Sequence, residues 1–291
     1  MIMDQTKLYG LALSLIVLVG ALMGNARSGS SDDVVYVSHP ESTTVLATAK
    51  DTIQQQAPVV EPLAPEPPKI GAASAIVKYL TTNESVFTLN PYQQWPVASL
   101  TKLMTAVIAR EEIGPDEKVT VSAAAVETEG GAGSLVAGRA YSREDLLRAL
   151  LKVSSNDAGV ALAEHIGPER FIRLMNERAV AIGMYNTRFF DPTGLSALNQ
   201  SMVSDLEKLV MHISNRHPAI LALTTEKEGG NIHPFVDRSN FLGGKTGFID
   251  EASGNLISLF NHSGRPMLII VLGSEDRAAD TQALYSTYTQ W

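Results

Sequence analysis

The sequence contains no cysteine, and this absence excludes disulfide bonds, cysteine-ligated zinc and catalysis by a thiol. Positive charge is also scarce, because 23 Lys and Arg residues stand against 31 Asp and Glu residues and the formal net charge is −8. No long run of basic residues occurs, so we expect no nucleic-acid surface. The six histidines form neither H-E-x-x-H nor another paired spacing. We therefore expect neither a metal nor another cofactor.

The N-terminal region contains a long apolar run. No charged residue occurs between Lys7 and Arg27, and the run reads "LYGLALSLIVLVGALMG". Two interpretations remain open for residues 1–26. They form either a secretory signal peptide that is cleaved after Ala26, or a retained membrane anchor, which needs about 17–25 apolar residues. Both interpretations predict an extracytoplasmic protein in the cell envelope, either anchored by its N-terminus or secreted.

Residues 27–69 have a different composition, in which Ser, Thr, Ala, Gln and Pro dominate and "PVVEPLAPEPP" stands near the end. Such a segment buries too little apolar surface to fold by itself, and its prolines stiffen the chain. We predict a disordered linker over 27–69, which either spaces the following domain from the membrane or simply joins it to the N-terminus. The folded domain is predicted over 70–291.

Strands are predicted at both ends of this domain. "SAIVKYL" and "SVFTLN" flank a turn at 81–84 and predict one hairpin, and "NLISLFNH" and "PMLIIVLGS" predict a second hairpin near the C-terminus. Helical patterns fill the middle, with N-caps expected at Ser142, Asp157 and Ser204. This order predicts an α/β (α+β) fold: an antiparallel sheet from both ends of the domain, flanked by helices, with an inserted helical lobe.

Ser99 and Lys102 lie near the start of a helix that is apolar on all sides, as in "PVASLTKLMTAVIAR". A helix of this kind is usually buried, and a buried ammonium is costly. The i, i+3 spacing places the lysine amine beside the serine hydroxyl. Burial and the positive end of the helix dipole lower the amine's pKa, so that it can take the serine proton. A capping serine beside a lysine whose amine reaches solvent is the alternative.

Two further motifs bear side chains suited to a cleft. Ser154 and Asn156 interrupt two helical patterns, either as a plain kink or as a hydroxyl and an amide presented to a substrate. Lys245, Thr246 and Gly247 stand in "FLGGKTGFID". There a glycine permits close backbone approach, an exposed strand edge accepts a peptide, and the lysine and threonine offer a cation and a hydroxyl to a carboxylate. A glycine-rich turn without a binding role is the alternative.

The order S-x-x-K, S-x-N, K-T-G is typical of serine β-lactamases and penicillin-binding proteins. The sequence resembles the D-alanyl-D-alanine carboxypeptidase family, the low-molecular-weight penicillin-binding proteins, from about Ala75 to Leu284. The resemblance rests on "ASLTKLMTA", "DLLRALLKVSSNDAGVALAE", "MNERAVAIGMYNTRFFDPTGLS" and "GGKTGF". It implies a β-lactamase/transpeptidase-like fold and a serine-type D-Ala-D-Ala carboxypeptidase or D,D-endopeptidase. Such an enzyme trims peptidoglycan stem peptides through an acyl-enzyme and is inhibited by β-lactams.

The same resemblance implies a role for each matching residue. Ser99 is the nucleophile, Lys102 its base and Ser154 a proton relay. Substrate binding falls to five residues: Asn156, Lys245, Thr246, Gly247 and Phe248. The oxyanion hole is assigned to the N–H groups of Ser99 and Phe248, although Phe248 stands where many relatives carry a polar residue.

Two alternative functions remain open. A class A β-lactamase needs a glutamate that activates the deacylating water, and the segment "MYNTRFFDPTGLS" contains none. A non-catalytic binder of cell-wall peptides or of penicillin is the other alternative, although all the side chains that the chemistry requires are present.

Overall fold

The computed structural model describes residues 65–130 and 132–290. The predicted signal peptide or anchor at 1–26 and all but the end of the predicted linker lie outside the described residues. None of the described helices is both long enough and apolar enough to cross a membrane.

The described residues form nine strands, eight α-helices and one 3₁₀ helix. In chain order these are β1 (Ser74–Tyr79), β2 (Glu84–Leu89), β3 (Trp95–Pro96), the 3₁₀ helix (Ala98–Thr101), α1 (Lys102–Glu112), β4 (Lys118–Thr120), α2 (Ala123–Val126), β5 (Ala140–Ser142), α3 (Arg143–Lys152), α4 (Asn156–Ile166), α5 (Pro168–Ala181), β6 (Gln200–Ser201), α6 (Val203–Arg216), α7 (Pro218–Thr225), β7 (Phe241–Ile249), β8 (Ser253–His262), β9 (Arg265–Ser274) and α8 (Arg277–Thr289).

The main sheet joins the two ends of the domain, as the order of patterns predicts. Its five strands run in the order β2-β1-β9-β8-β7, and all neighbouring pairs are antiparallel. Both predicted hairpins are present, β1 with β2 and β8 with β9. The pairing of Ala75 with Val271 joins the first strand to the last one. The predicted fold class is therefore confirmed.

Both faces of the sheet are covered, which explains why the central strands are apolar at almost every position. On one face Leu268 and Ile270 of β9 pack into the core of the helical lobe. On the other face Met267 and Ile269 pack with Leu284 of α8. Successive residues of a strand point to opposite faces, so a strand buried on both sides reads as one continuous apolar run.

Helix α1 runs through the centre of the lobe, and its residues 102–109 are all buried. The sequence pattern predicts such a helix, but the α-helical part begins only at Lys102. Ser99 lies in the preceding 3₁₀ helix instead, whose N-cap Val97 gives no side-chain hydrogen bond. The turn that carries the serine is therefore held from outside the helix.

Two of the three predicted N-caps are wrong. Helix α3 is capped by Ser142, which accepts from the Asp145 N–H at 3.1 Å as expected. Helix α4 is capped by Ser155, which accepts from the Ala158 N–H, and Asp157 is already inside the helix. Helix α6 begins after Met202 without a side-chain cap.

The N-cap predicted at Ser204 is wrong because of a tertiary contact. Ser204 already lies inside α6, and its N–H donates to the carbonyl oxygen of Pro91 at 3.2 Å. A distant carbonyl thus satisfies a donor that a capping side chain otherwise takes.

Helix α7 has no amphipathic period in the sequence and was not predicted, because its segment "PAILALTT" is almost wholly apolar.

Candidate active site

The turn that carries Ser99 is clamped between two glycine backbones. A Cβ atom on Gly194 would lie 1.9 Å from the Ala98 carbonyl oxygen, and one on Gly247 would lie 2.9 Å from the Val97 carbonyl oxygen. Ala98 itself has a φ of 48°, a conformation that residues other than glycine seldom adopt. The loop around Gly194 and strand β7 therefore fix the backbone on either side of the serine.

The Lys102 amine makes three hydrogen bonds. Its Nζ atom donates to Ser99 Oγ at 2.9 Å, to Asn156 Oδ1 at 2.7 Å and to the Thr193 carbonyl oxygen at 2.6 Å. The side chain is completely buried. An ammonium has three donors and no acceptor, so its hydrogen-bonding capacity is fully used here, and all three partners are held by different segments.

Burial lowers the pKa of Lys102 to about 7, although the negative charge of Asp191 acts in the opposite direction. At neutral pH a large fraction of the amine is therefore unprotonated. A neutral amine keeps two N–H donors, which Asn156 and Thr193 accept, and its lone pair then faces the Ser99 hydroxyl. This arrangement is the one that general-base activation of a serine requires.

Asn156 links α1 to residues 129 and 130, which precede β5. Its Oδ1 atom accepts from Lys102, and its Nδ2 atom donates to the Glu129 carbonyl oxygen at 2.6 Å. A Cβ atom on Gly130 would lie 2.9 Å from this Nδ2 atom. The amide is thus fixed at both ends and orients the lysine amine.

A second buried amine lies on strand β7. Lys245 Nζ donates to Ser154 Oγ at 3.0 Å and to the Thr246 carbonyl oxygen at 2.8 Å. Ser154 has a φ of 62°, so its hydroxyl is presented by a left-handed residue between α3 and α4. The break in the helical pattern therefore supplies one group to each amine, Ser154 to Lys245 and Asn156 to Lys102.

Burial lowers the pKa of Lys245 well below its ordinary value, and the positive charges of Lys102 and Arg277 lower it further. Within residues 65–130 and 132–290, no carboxylate offsets these effects. A ligand carboxylate placed beside this amine would favour its charged form. The surroundings of Lys245 therefore suit an anion that arrives with the substrate.

The other predicted residues of β7 lie along the same strand. Thr246 is buried, and Gly247 lies against the Ser99 turn as described above. The side chain of Phe248 is 60% exposed. Strand β7 stands at the end of the sheet order, so one of its edges has no strand beside it among the described residues. The tripeptide "SGN" at residues 253–255 also matches S-x-N, but its asparagine is structural, because Asn255 Nδ2 donates to the Pro96 carbonyl oxygen.

One contributor to the site was not predicted. The Thr193 carbonyl oxygen accepts from Lys102, and Asp191 shapes the loop that presents it. Asp191 Oδ1 accepts from the N–H groups of Thr193 and Gly194, both at 2.7 Å, and Oδ2 accepts from the Ser196 N–H at 2.9 Å. The segment "DPTGLS" has the residue types of a side-chain-capped turn. A main-chain carbonyl, however, has no signature in the sequence.

Comparisons with known proteins give one consistent result. A sequence model described as D-alanyl-D-alanine carboxypeptidase (Peptidase_S11) matches residues 61–276. The chain is 34% identical over 224 residues to the D-alanyl-D-alanine endopeptidase of Escherichia coli, covering 70% of this chain and 72% of that protein. It is 33% identical over 237 residues to the D-alanyl-D-alanine carboxypeptidase DacD of the same organism, covering 74% of this chain and 61% of that protein.

The fold is similar to solved structures as well. The crystal structure of penicillin binding protein 6B from Escherichia coli superposes with a TM-score of 0.71 at 31% identity, covering 79% of this chain and 80% of that one. Penicillin-Binding Protein D2 from Listeria monocytogenes in its cefotaxime-bound form superposes with a TM-score of 0.68 at 27% identity, covering 76% of this chain and 98% of that one.

Proposed function

The chain belongs to the D-alanyl-D-alanine carboxypeptidase family, and from that premise we propose how its cleft carries out the reaction. The protein is a serine peptidase of peptidoglycan stem peptides, a D-Ala-D-Ala carboxypeptidase or D,D-endopeptidase. The observation that carries the assignment of roles is the set of three hydrogen bonds at Lys102 Nζ.

Acylation begins when neutral Lys102 takes the proton of the Ser99 hydroxyl. The serine oxygen attacks the carbonyl carbon of the scissile D-Ala bond, and the N–H groups of Ser99 and Phe248 stabilise the oxyanion. Collapse of this intermediate breaks the C–N bond, and the leaving amine needs a proton. Protonated Lys102 supplies this proton through the Ser154 hydroxyl, which accepts from Lys245 Nζ at 3.0 Å. Lys102 is thereby neutral again before deacylation.

Deacylation restores the serine. A water molecule attacks the ester carbonyl, gives up one proton to Lys102, and leaves the acyl group as a carboxylic acid while Ser99 recovers its proton. Lys245 and Thr246 hold the carboxylate of the substrate beside the strand edge of β7. Gly247 permits the close approach that the substrate backbone needs.

A β-lactam presents a strained amide and a carboxylate to the same groups, so we propose that penicillin acylates Ser99 and that the adduct persists. The negative charge of Asp191 acts on Lys102 and raises its pKa. The two carboxylate oxygens of Asp191, however, already accept four hydrogen bonds. Asp191 is therefore not available to activate a water in the way that a class A β-lactamase requires. The geometry favours the peptidase over that alternative.

Intact-mass measurement after mixing with penicillin tests the assignment of the nucleophile. We expect one added penicillin mass on the full-length chain and none on Ser99→Ala. Rapid loss of the drug without an adduct would support the β-lactamase alternative. An adduct that remains on Ser99→Ala would remove Ser99 from its role.

Digestion of purified muropeptides separates the two peptidase activities. Release of single D-alanine residues indicates a carboxypeptidase, and loss of cross-linked dimers indicates an endopeptidase. No change in either product would favour a binder without catalysis, and would contradict the proposed mechanism.

The substrate places the protein in the cell envelope, and we propose that residues 8–24 hold it at the membrane. The apolar run between Lys7 and Arg27 supports this proposal. Membrane sedimentation combined with N-terminal sequencing tests it. A mature chain that starts at Arg27 would show cleavage after Ala26 and exclude the anchor.

A further inference from the structure

A cluster of three metal-binding side chains lies at the end of α1 opposite to Lys102. Glu111, His212 and His217 each offer one possible ligand atom, and these atoms all lie within 4.8 Å of one another. Glu111 stands on α1, His212 on α6, and His217 follows α6. The cluster takes no part in the cleft described above.

The backbone at the end of α6 brings the two histidines together. On a continuing helix, residues five apart lie about 140° apart around the axis, so His212 and His217 would face different directions. His217 instead has φ −135° and ψ 48°, and Pro218 starts α7 directly after it. The chain therefore leaves the helix at His217, and the two ring centroids come to 5.4 Å with the ring planes 58° apart.

The hydrogen bonds of the cluster leave one buried nitrogen without a partner. His217 Nε2 lies 3.1 Å from Glu111 Oε1. His212 Nε2 is buried and finds no hydrogen-bond partner among residues 65–130 and 132–290. Buried polar atoms are nearly always paired, and an exception calls for an explanation such as an ion.

Arg178 orients the carboxylate. Its Nε and Nη2 atoms donate to Glu111 Oε2 at 3.1 and 2.7 Å, which leaves Oε1 for the contact with His217. Hydrogen bonds of this kind commonly hold a ligating carboxylate in place from behind. The guanidinium charge also weakens the attraction for a cation, so the expected ion exchanges with solution instead of being held permanently.

We propose that Glu111, His212 and His217 bind one Zn²⁺ ion through two imidazole nitrogens and one carboxylate oxygen. Zinc bonds of about 2.0–2.2 Å in a tetrahedral arrangement place ligand atoms about 3.3–3.6 Å apart, within the range that small side-chain rotations reach here. Water completes the fourth position, since the side chains of Glu111 and His217 are 20% and 17% exposed. Mg²⁺ and Ca²⁺ prefer oxygen ligands and do not fit this set.

The ion fastens the end of α1 to the junction of α6 and α7. Glu111 follows Lys102 by nine residues, so the two lie about 13 Å apart along the helix axis. The ion therefore stabilises the fold and takes no part in the peptidase reaction. A cation also suits this place because the C-terminal end of a helix carries a partial negative charge.

Zinc titration of the full-length chain tests the site. The protein is purified in mild detergent without a histidine tag, treated with a chelator, and titrated with ZnSO₄ by calorimetry. We expect one ion per chain, and a melting temperature that rises by roughly 5–10 °C at a hundredfold excess over the dissociation constant. MgCl₂ gives no rise. Penicillin acylation of the metal-free protein proceeds at the same rate as with zinc.

Single substitutions identify the ligands. His212→Asn and Glu111→Gln each lower the zinc affinity at least about 100-fold, since even partners outside the ligand shell cost 10- to 100-fold. His165→Asn is the matched control, because His165 also pairs with a glutamate, Glu117, but belongs to no such cluster within residues 65–130 and 132–290. The zinc affinity of this variant stays unchanged. Circular dichroism without zinc shows that each variant is folded, and Glu111→Gln serves as the test should His212→Asn not fold.

Three results would overturn the site: no binding at one ion per chain, binding that both variants retain, or an equal loss in His165→Asn. None of these results touches the peptidase mechanism, whose tests use penicillin adducts at Ser99.

Discussion

The two buried lysines of the cleft carry the same side chain in different surroundings. Lys102 has three hydrogen-bond acceptors and the negative charge of Asp191 nearby, and its pKa lies at about 7. Lys245 has two acceptors and positive neighbours, and its pKa lies well below the ordinary value. Burial supplies the largest effect at both. The difference lies in the neighbouring charges: the negative charge of Asp191 raises the pKa of Lys102, whereas the positive charges of Lys102 and Arg277 lower that of Lys245.

This comparison assigns different chemistry to the two amines. An amine that is half protonated near pH 7 can accept and return a proton within one catalytic cycle. An amine with no negative partner gains most from a ligand that brings a negative charge. We therefore propose that Lys102 serves as a base and Lys245 as an anion receptor, and each prediction below tests one side of this contrast.

The largest expected effect is that of Lys102→Arg. Arginine keeps the positive charge and a long stem but cannot lose its proton near neutral pH. General-base catalysis is worth about 10²–10⁴-fold, so acylation of Ser99 by penicillin slows by at least about 10²-fold. Stopped-flow mixing followed by mass measurement gives the rate.

A variant that is folded by circular dichroism, yet acylates within a few-fold of the wild-type rate, would show that Lys102 is not the base. Arg110→Lys is a suitable control, because it changes another cation of α1 that lies outside the cleft and pairs with Glu144. Its acylation rate stays unchanged.

Lys245→Ala tests the anion receptor and has the next largest effect. A hydrogen bond to a charged group contributes about 1.5–3 kcal/mol, so kcat/KM for a substrate with a free terminal carboxylate falls about 10–100-fold. Steady-state release of D-alanine from a stem pentapeptide measures it. Lys245→Arg restores part of the loss.

The loss at Lys245 should depend on the substrate. A pentapeptide whose terminal carboxylate is converted to an amide loses the same partner, so Lys245→Ala then has little additional effect. An equal loss with both substrates would mean that Lys245 acts on something other than the carboxylate.

The pH dependence of the acylation rate tests the role of Lys102 as the base. Only unprotonated Lys102 can act as base, and its pKa is about 7, so the acylation rate rises with pH to a plateau above that value. Below it the rate falls about tenfold for each pH unit, as for any single required deprotonation. A rate that is flat between pH 5 and 8 would contradict the assignment.

The smallest effect concerns the loop that supplies one group to each lysine. Ser155 caps α4 through the Ala158 N–H at 3.1 Å, so Ser155→Ala lowers the free energy of unfolding by about 0.5–2 kcal/mol. Urea denaturation measures the change. Ser204→Ala, within α6 and without a capping bond, changes stability by less than about 0.5 kcal/mol; equal losses in both would contradict the observed caps.

The sequence predicts those features that neighbouring residues determine. The N-cap of α3 was predicted correctly because Ser142 and Asp145 meet across a single helical turn. The cap of α4 was not, since "SSND" offers four candidates and only the left-handed conformation of Ser154 decides that the helix starts after Ser155. The spacing of Ser99 and Lys102 placed their side chains together for the same local reason.

Contacts between distant segments could not be predicted from the sequence. The cluster of Glu111, His212 and His217 joins residues about 100 positions apart, and no spacing in the sequence indicates it. The roles of the cleft residues remain proposals, but their hydrogen bonds join α1, the α3–α4 break and β7, which only the folded chain brings together.

What the sequence by itself determined is the set of patterns: strands at both ends, helices between them, an all-apolar α1, and three motifs in a characteristic order. Periodicity and local spacing express these features, because they depend on residues within one or two turns. Only the tertiary structure decided the state of the two lysines. Their pKa values depend on burial beneath other elements. The third acceptor of Lys102 is the main-chain oxygen of Thr193. A distant loop brings this oxygen to the lysine, and because every residue has a main-chain oxygen, the sequence does not indicate which one does so.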